Sequence, residues 1–339
     1  MNEKIGYFSP EANEKEGIPF RCSIWMGKHS VNVYSEIGDF LPYFEGLGVN
    51  YISSFPSWHI ERRPSKSEDS ILYQSAEETG IEFDQVKKIL KARGDMEDYR
   101  DGQVLAYISF WLMEAQRQAE SMYTMHSSAL SLDGNGVLLL GHSGSGKTSL
   151  LLALGEKYGG EVVSNDLTVV SYDPVTQNMF LVDGTKEIRL RLASVKAKFP
   201  HLAKLFPNKG NLSPWEYKIA VSPEEVGVKI SKEQRPVKSA FLVHLDSDTT
   251  ENLVVYRENG ISVRYTLYED MSRIVRGSAI SLFGKKNNIL GYMPSLDNSL
   301  LHQKRVDTIE FLLSKIGVWN ISGGNINQIC EAIARITFS

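Results

Sequence analysis

The feature that most constrains this chain is the octapeptide GHSGSGKT at residues 141–148. It fits the phosphate-loop pattern G-x-x-x-x-G-K-[ST] at every fixed position. The apolar run Leu138–Leu140 predicts a buried strand before it, and Thr148–Lys157 predicts a helix after it that ends at Gly159–Gly160. A strand, a glycine-rich loop and a helix in this order predict an α/β domain that binds nucleotide phosphates.

The spacing of the loop follows from how a backbone binds an anion. Its three glycines allow a tight turn whose successive N–H groups point at phosphate oxygens, and the helix N-terminus attracts the same anion. Lys147 is expected to reach the β- and γ-phosphates, and Thr148 to ligate Mg²⁺ through its hydroxyl. His142 occupies a variable position, and its side chain is expected to point outward without a role. The predicted nucleotide-binding residues are Gly141, Ser143, Gly144, Ser145, Gly146, Lys147, Thr148 and Ser149.

Composition and charge restrict the remaining classes of function. The 339 residues are 42% hydrophobic and 23% charged, which is ordinary for a globular protein and predicts two domains or one large domain with an extension. The formal net charge of −4 argues against nucleic acid or an anionic membrane as a partner. The longest apolar run, Val104–Met113, has about half the length of a spanning helix. Because the N-terminal sequence also lacks the apolar segment of a signal peptide, we expect a cytoplasmic protein.

The two cysteines, Cys22 and Cys330, are too few and too far apart for a disulfide framework or a metal site. Both are expected to be reduced and buried.

The predicted pattern of secondary structure changes near residue 125. Before it, short apolar runs mix with a helix predicted over Gln103–Met122, whose apolar half is expected to pack in a core. After it, strands and helices alternate, and a pair of strands is predicted to turn at Asp183–Gly184. The segments predicted after residue 125 are strands at Glu161–Val163, Leu167–Tyr172, Met179–Val182, Glu187–Leu190, Phe241–Leu245 and Gly317–Ile321, and helices at Val306–Lys315 and Ile326–Ile336. We therefore predict an N-terminal α+β domain over residues 1–125 and a phosphate-loop α/β domain over residues 126–339.

Two acidic residues are candidates for the carboxylate that faces the loop. Asp246 ends the apolar run Phe241–Leu245, as a Walker B aspartate would. Asp166, in VVSNDLTVV, follows the loop by one helix and one strand. We place it at the end of the strand next to the loop strand, near the γ-phosphate, because α/β sheets bind ligands at such strand ends.

Four local features resemble the catalytic domain of bacterial HPr kinase/phosphorylase. The resemblance covers roughly residues 120–250, and a strand ending Val-His-Leu at Leu245 accompanies it. The four features are His126 at the family's spacing before the loop, the loop and helix GHSGSGKTSLLLAL, the segment VVSNDLTVV in place of a strand ending Asp-Asp, and the tripeptide Glu187-Ile188-Arg189.

The resemblance implies a kinase domain of the HPr kinase type with a mixed sheet. It implies transfer of the γ-phosphate of ATP, with Mg²⁺, to a hydroxyl of a peptide or protein Ser or Thr, or of a small metabolite. Similar proteins occur as tailoring enzymes in peptide natural-product pathways. Family members form oligomers, so a homo-oligomer is also implied. The implied roles are Asp166 as base, His126 near the γ-phosphate, Lys147 and Arg189 beside the phosphates, and Thr148 with Glu187 as Mg²⁺ ligands.

The chain departs from the family at several positions. Asn165 replaces the first Asp of the pair, Ser127 replaces the Gly after the His, and LRLAS follows Arg189 in place of a glycine-containing run. No segment like Pro-Val-Lys-Pro-Gly-Arg, used by the family for dephosphorylation, is present. The kinase activity is therefore implied without the phosphorylase activity.

Other interpretations stay open at this stage. Asp166 is also explained as a turn residue, His126 as a core histidine, Glu187 as a solvated carboxylate, and Arg189 with Arg191 as a solvent-facing strand. For the whole chain, the alternatives are a nucleotide-binding regulator that hydrolyses slowly or not at all, and an enzyme of the PEP carboxykinase type. The latter lacks support because no cluster of metal-binding Lys, His and Asp is evident.

Overall fold

The structure, a computed structural model, describes residues 14–38, 55–99, 103–207, 212–245, 252–277, 282–283 and 289–339. These residues form two compact units. One comprises the described parts of 1–120 and 272–302, and the other those of 121–271 and 303–339. The sequence predicts a single boundary near residue 125, whereas both units are built from two chain segments. The assignment of roles to domains stays a prediction.

The described residues form a mixed α/β fold. Its strands are β1 (Glu14–Lys15), β2 (Ile18–Met26), β3 (His29–Ser35), β4 (Trp58–Glu61), β5 (Ser70–Ser75), β6 (Gly80–Asp84), β7 (Ile89–Gly94), β8 (Met122–Leu132), β9 (Asn135–Leu140), β10 (Glu161–Ser164), β11 (Leu167–Asp173), β12 (Asn178–Gly184), β13 (Ile188–Arg191), β14 (Lys218–Val221), β15 (Arg235–Leu245), β16 (Val254–Glu258), β17 (Leu282–Phe283), β18 (Ile289–Gly291) and β19 (Val318–Gly323).

Helices cover much of the remainder. They are α1 (Met96–Tyr99), α2 (Gln103–Ala119), α3 (Lys147–Tyr158), α4 (Leu192–Lys198), α5 (Ile261–Ser272), α6 (Ser299–Phe311), continued by a π-helical turn at Leu312–Ile316, and α7 (Ile326–Phe338), with 3₁₀ turns at Pro200–Leu205 and Glu224–Val226. No helix in the described part of the chain has the length and apolarity needed to span a membrane.

The first unit contains a seven-stranded mixed sheet in the order β1-β2-β3-β5-β7-β6, with β4 paired to β2. Strands β3, β5 and β7 run parallel, and the other pairs are antiparallel. Helix α2 buries Leu105, Ile108 and Trp111 completely, which confirms its expected place in a core. It ends at Ala119, before the predicted Met122, because Ser121 adopts a left-handed φ of 58° that a helix cannot continue. Cys22 and Cys330, one in each unit, are both buried as expected, and no disulfide joins them.

Five strands of the second unit close a ring. Strand β8 pairs with β9 and β11, β15 pairs with β9 and β12, and β11 pairs with β12. Three further strands extend it: β10 lies antiparallel beside β8, β19 parallel beside β15, and β16 antiparallel beside β19. Because β8 and β15 each have eleven residues, each can pair with different neighbours along its length.

The predicted strand, loop and helix around the glycine-rich sequence are confirmed. Alternate residues of β9 face two different cores, with Val137 and Leu139 in one and Leu138 and Leu140 in the other. Helices α3 and α7 pack in the first of these cores. Helix α3 ends as predicted, because Gly159 takes a left-handed φ of 67° and its N–H donates to the Leu154 carbonyl. This packing fixes the start of α3 at the carboxyl end of β9.

The predicted strand pair that turns at Asp183–Gly184 is wrong. Gly184 is the last residue of β12, and a Cβ there would lie 2.5 Å from the Leu167 carbonyl oxygen. Glycine therefore allows a close backbone approach here and does not make a turn. Strand β12 pairs with β11 through the turn at residues 174–177, and β13 pairs with β14.

Candidate functional site

The glycine-rich loop needs glycine for space as well as for backbone conformation. Gly141 has φ 143°, and a Cβ there would lie 2.9 Å from the Val243 carbonyl oxygen. Gly146 has φ 96°, and its Cβ would lie 2.5 Å from that of Leu245. Gly144, with φ 86°, has open space around it. The loop is thus fitted against the end of β15 at two positions, and an L-residue is disfavoured at all three glycines.

A buried hydroxyl faces the interior of this loop. Ser145 is 8% exposed, and its Oγ has no hydrogen-bond partner among the described residues. The Oγ lies 2.6 Å from the place where a Cβ on Gly141 would be. Buried polar atoms are nearly always paired. A phosphate oxygen in the loop would supply the missing acceptor, so the residues present fit a bound nucleotide phosphate.

The register of β8 brings His126 to the loop. His126 is the last residue of β8 that pairs with β11, where it lies opposite Leu167. Ser127 is the first residue that pairs with β9, opposite Leu140. His126 therefore lies at the fork between these two strands, one of which leads into Gly141 while the other follows Asp166. Its backbone N–H donates to Asp270 at 2.9 Å, which fastens the fork to α5.

Lys147, His126 and Asp166 form one hydrogen-bonded chain. The Lys147 Nζ lies 3.2 Å from His126 Nε2, and His126 Nδ1 lies 3.2 Å from an Asp166 carboxylate oxygen. An ammonium group can only donate, so Nε2 accepts from Lys147 and the ring proton on Nδ1 is donated to Asp166. Lys147 also donates to the carbonyls of Gly141 at 2.6 Å and His142 at 3.0 Å. The three predicted residues are thus brought together.

Asp166 has an unusual backbone and a perturbed carboxyl group. Its φ of 83° is left-handed, a conformation that Asp tolerates better than most residues. The hydrogen bond from His126 lowers the pKa of the carboxyl below its usual value, against the opposing effect of desolvation, and the charges of Arg189 and Lys147 lower it further. The side chain is 56% exposed, so this carboxylate is ionised at neutral pH and open to a substrate.

One prediction about Asp166 is wrong in detail. The strand that precedes it, β10, pairs with β8 and not with the loop strand β9. Asp166 reaches the loop because β10, the bend at 165–166 and β11 follow β8 in continuous antiparallel register, so that the Asp166 carbonyl accepts from the Ser127 N–H at 3.1 Å. The competing candidate, Asp246, lies outside the described residues.

A second hydrogen-bond network joins Thr148, Asn165 and Glu187. Asn165 is buried, and its Nδ2 donates to the Glu187 carbonyl oxygen at 3.1 Å. Since a carbonyl can only accept, this contact fixes the orientation of the amide. The Asn165 Oδ1 then accepts from the hydroxyls of Thr148 at 2.9 Å and Ser128 at 3.1 Å. The Thr148 proton is therefore committed to Asn165, and its oxygen lone pairs are available to a cation.

In the sequence, Asn165 is evident only as the replacement of the first Asp of the family's pair. The sequence does not predict that Asn165 joins α3, β8 and the residue before β13. An asparagine between two predicted metal-binding positions was the available signal, because its side chain both donates and accepts while an ionised Asp only accepts.

The remaining predicted residues lie around these networks. Arg189 Nε donates to the Glu187 carboxylate at 3.0 Å, and Arg189 is 53% exposed whereas Glu187 is 15% exposed. Of the loop residues, Ser143 and His142 are exposed, and Ser149 at the start of α3 is half-buried. The exposure of His142 agrees with its expected outward position.

No group of three or more His, Cys, Asp and Glu side chains in the described part of the chain is placed to hold a metal ion by itself. Mg²⁺ in nucleotide sites is usually bound by one or two protein groups together with phosphates and water. The Thr148 hydroxyl and the Glu187 carboxylate are of the hard oxygen type that Mg²⁺ prefers, so the donor set fits a cation that arrives with the nucleotide.

Comparisons with known proteins do not decide the function. No protein-family model matches the sequence, and no curated protein matches it at a significant level. Among solved structures, the Hpr(Ser) kinase/phosphatase from Coxiella burnetii is similar to this chain at 14% sequence identity, covering 62% of this chain and 91% of that chain, with a TM-score of 0.28. This score is too low to assign a family or a reaction, so the geometry of the site carries the functional argument.

Proposed function

We propose that this protein is an ATP-dependent kinase of the HPr kinase-like kind, which transfers the γ-phosphate to a hydroxyl of a peptide, a protein or a small metabolite. The observation that carries the proposal is the chain from Lys147 through His126 to Asp166, with both hydrogen bonds at 3.2 Å. It places an ionised, accessible carboxylate next to a phosphate loop. A nucleotide-binding loop without an acceptor reaction does not need such a group.

MgATP would supply the phosphoryl group and a cation that neutralises its charge. The loop backbone, Ser145 and Lys147 would hold the phosphates. Thr148 and Glu187 would hold Mg²⁺, and the Asn165 amide contacts the Thr148 hydroxyl and the Glu187 backbone carbonyl. Arg189 adds a positive charge at the exposed side of the site.

Asp166 is the proposed general base. It would orient the acceptor hydroxyl and take its proton as the oxygen attacks phosphorus, while His126 keeps the carboxylate in place through Nδ1–H. The low pKa of Asp166 keeps the carboxylate ionised at neutral pH, as a base must be. Phosphoryl transfer relies mainly on positioning and charge neutralisation, and the residues of both networks provide these.

A radiolabel assay tests the proposal. The purified protein is incubated with γ-³²P-labelled ATP and Mg²⁺, with and without the Ser- and Thr-containing peptides and hydroxylated metabolites encoded or made by neighbouring genes. We expect label on an acceptor, reduced by about 10²–10⁴-fold in Asp166→Asn, as for loss of a general base. ATP binding, measured by calorimetry, should be retained in that variant.

Asp133→Asn is the matched control. Asp133 is exposed and also left-handed, with φ 49°, but it lies in the turn between β8 and β9, at the far end of both strands from the loop. It should leave transfer unchanged. ATP binding by the wild type with no transfer to any acceptor would replace the kinase with a nucleotide-binding regulatory module, and absence of ATP binding would refute both.

A further inference from the structure

The segment that follows the Glu-Ile-Arg tripeptide has a charge unlike that of the rest of the chain. Residues 186–218 contain eight Lys and Arg against two Glu, a formal charge of +6, whereas the whole chain has a net charge of −4. A local concentration of one sign in a chain of the opposite sign attracts anionic partners to that place. Strands β13 and β14 bound this segment and lie within the second unit.

The pairing of β13 with β14 puts three of these charges on one face. Arg191 lies directly opposite Lys218, and Arg189 is two residues away on the same side of β13. The other side is apolar, and Ile188 and Val221 on it are buried in the core. We call the side formed by Arg189, Arg191 and Lys218 the basic face.

The like charges of Arg191 and Lys218 destabilise the pairing of β13 with β14 when no ligand is bound. Side chains that lie directly opposite each other on antiparallel strands are close neighbours, and like charges in these positions destabilise the pairing. Lys218 is exposed and Arg191 is partly exposed, so a ligand can reach both. A bound anion would convert this repulsion into attraction to a common partner.

The basic face begins at the candidate active site. Arg189 donates to Glu187, whose carbonyl is held by Asn165, and its charge acts on the neighbouring Asp166 carboxyl. Residues two apart on a strand are separated by about 7 Å, so Arg191 and Lys218 lie one such step further from the base. If the acceptor hydroxyl lies at Asp166, the substrate residues next to it would therefore lie on the basic face.

We propose that the basic face binds an acidic peptide segment next to the hydroxyl that is phosphorylated. The inference rests on the proposed kinase function and specifies its acceptor. An extended peptide with Glu or Asp at alternate positions repeats its charges about every 7 Å, which matches the step from Arg189 to Arg191. A small anion would occupy only one end of this face, so the extended arrangement favours a peptide.

Peptide binding can be measured without turnover. The probes are three fluorescein-labelled peptides of eight residues, each with one Ser and with Glu, Gln or Lys at alternate positions, and the readout is fluorescence anisotropy at low and high salt. We expect the Glu peptide to bind at least about tenfold more tightly than the Gln peptide, with affinity falling as salt increases. The Lys peptide should not bind.

Charge reversal locates the contact. The double variant Arg191→Glu/Lys218→Glu should weaken the Glu peptide by about tenfold or more, since two attractions become repulsions. The control double variant Lys238→Glu/Lys315→Glu makes the same change in net charge. Both control lysines are exposed and precede the pairing of Ala240 with Val318, at the opposite end of β15 and β19 from the phosphate loop. This control variant should bind the Glu peptide as tightly as the wild type does.

A neutral double variant distinguishes loss of peptide binding from loss of stability. Arg191→Gln/Lys218→Gln takes away the like-charge pair, so it should raise the melting temperature slightly while it weakens the Glu peptide. Equal affinity of all variants for the Glu peptide, or no preference of the wild type for Glu over Gln, would overturn the inference.

Calorimetry with MgATP, read together with the radiolabel assay and the peptide-binding measurement, separates the kinase proposal from the proposal of an acidic-peptide site. A protein that binds MgATP and phosphorylates the Gln peptide as well as the Glu peptide keeps the kinase and loses the basic face as its acceptor site. A protein that binds the Glu peptide at the basic face without binding MgATP keeps the docking surface and loses the kinase.

Discussion

Two hydrogen-bond networks start at adjacent residues at the end of the glycine-rich loop, and they differ in charge and exposure. Lys147 leads through His126 to Asp166, and the next residue, Thr148, leads through Asn165 to Glu187. The first network contains an ammonium and a carboxylate, and Asp166 is 56% exposed. In the second, the bridging residue is a buried neutral amide that contacts hydroxyls and a backbone carbonyl.

Under the proposed function, this difference would separate two tasks at one site. A neutral, buried network keeps its hydrogen bonds over a wide range of pH, so it suits the positioning of metal ligands. A charged, accessible network can exchange protons and contact a substrate, so it suits the chemical step. Under the proposed function, adjacent residues would serve these two tasks, because the side chains of Lys147 and Thr148 leave the start of α3 in different directions.

Among variants of these networks that are tested by ATP binding, stability or titration, the largest effect is expected for Lys147→Ala. Loss of a charge-assisted hydrogen bond costs about 1.5–3 kcal/mol, which corresponds to a fall of about 10–150-fold in ATP affinity. Isothermal titration calorimetry measures it. Lys157→Ala, at the exposed end of the same helix, is the control and should bind ATP normally. An unchanged affinity in Lys147→Ala would mean that this loop does not bind phosphate as proposed.

A smaller but more diagnostic effect is expected for Asn165→Asp. The introduced carboxylate would face the Glu187 carbonyl oxygen without a proton to donate, so we expect a loss of about 1–3 kcal/mol in the free energy of unfolding at neutral pH. Desolvation and the nearby acceptor raise the pKa of the introduced carboxyl above its unfolded value. The folded variant therefore binds more protons than the unfolded one, and its deficit relative to the wild type should shrink as pH falls.

Urea unfolding at several pH values checks this expectation. Ser128→Ala is the control, because it removes one donor to the same Asn165 oxygen without adding a charge. Its deficit should be smaller and independent of pH. A deficit of Asn165→Asp that does not change with pH would contradict the amide orientation described above.

The smallest effect is expected for His126→Ala, as a shift in pH dependence. The hydrogen bond from His126 is the main cause of the low pKa of Asp166, so its loss should raise that pKa toward the ordinary carboxyl value. The stabilisation by this bond is present above the unfolded pKa and disappears as pH falls through the lower folded pKa. Carbon-13 NMR titration of the Asp166 carboxyl measures the shift. His142→Ala is the control, and an equal titration in all three proteins would exclude the His126–Asp166 bond.

Much of this site can be predicted from local sequence, because the glycine-rich loop restricts the backbone conformation and the elements on both sides of it. Glycine at three positions, a strand before them and a helix after them have few structural solutions, and the structure confirms each element. The C-terminal strand and helix, β19 and α7, are also confirmed within two residues of their predicted ends. His126, Lys147 and Asp166 are close in space, as the resemblance implied, although their chemical roles stay predictions.

The errors share a physical cause. Asp183–Gly184 predicts a turn because Asp-Gly commonly makes hairpins, yet the glycine there is required by the closeness of another strand, which is a tertiary property. The sequence predicts the wrong neighbour for β9 for the same reason, since pairing between β8 and β10 depends on contacts that are distant in sequence. It does not predict the contacts of Asn165, because the sequence around a single side chain does not reveal which groups surround it in the fold.

The contact between the glycine-rich loop and β15 has a dynamic consequence. The Leu245 N–H donates to the Ser145 carbonyl at 2.9 Å, and the Leu245 side chain fills the space that a Cβ on Gly146 would need. Opening of the loop and fraying of the last residue of β15 are therefore a single event, because neither can occur while this bond and this contact persist. The amide hydrogen of Leu245 should therefore exchange with solvent through loop opening, so that hydrogen exchange at this one residue reports the movement of the loop.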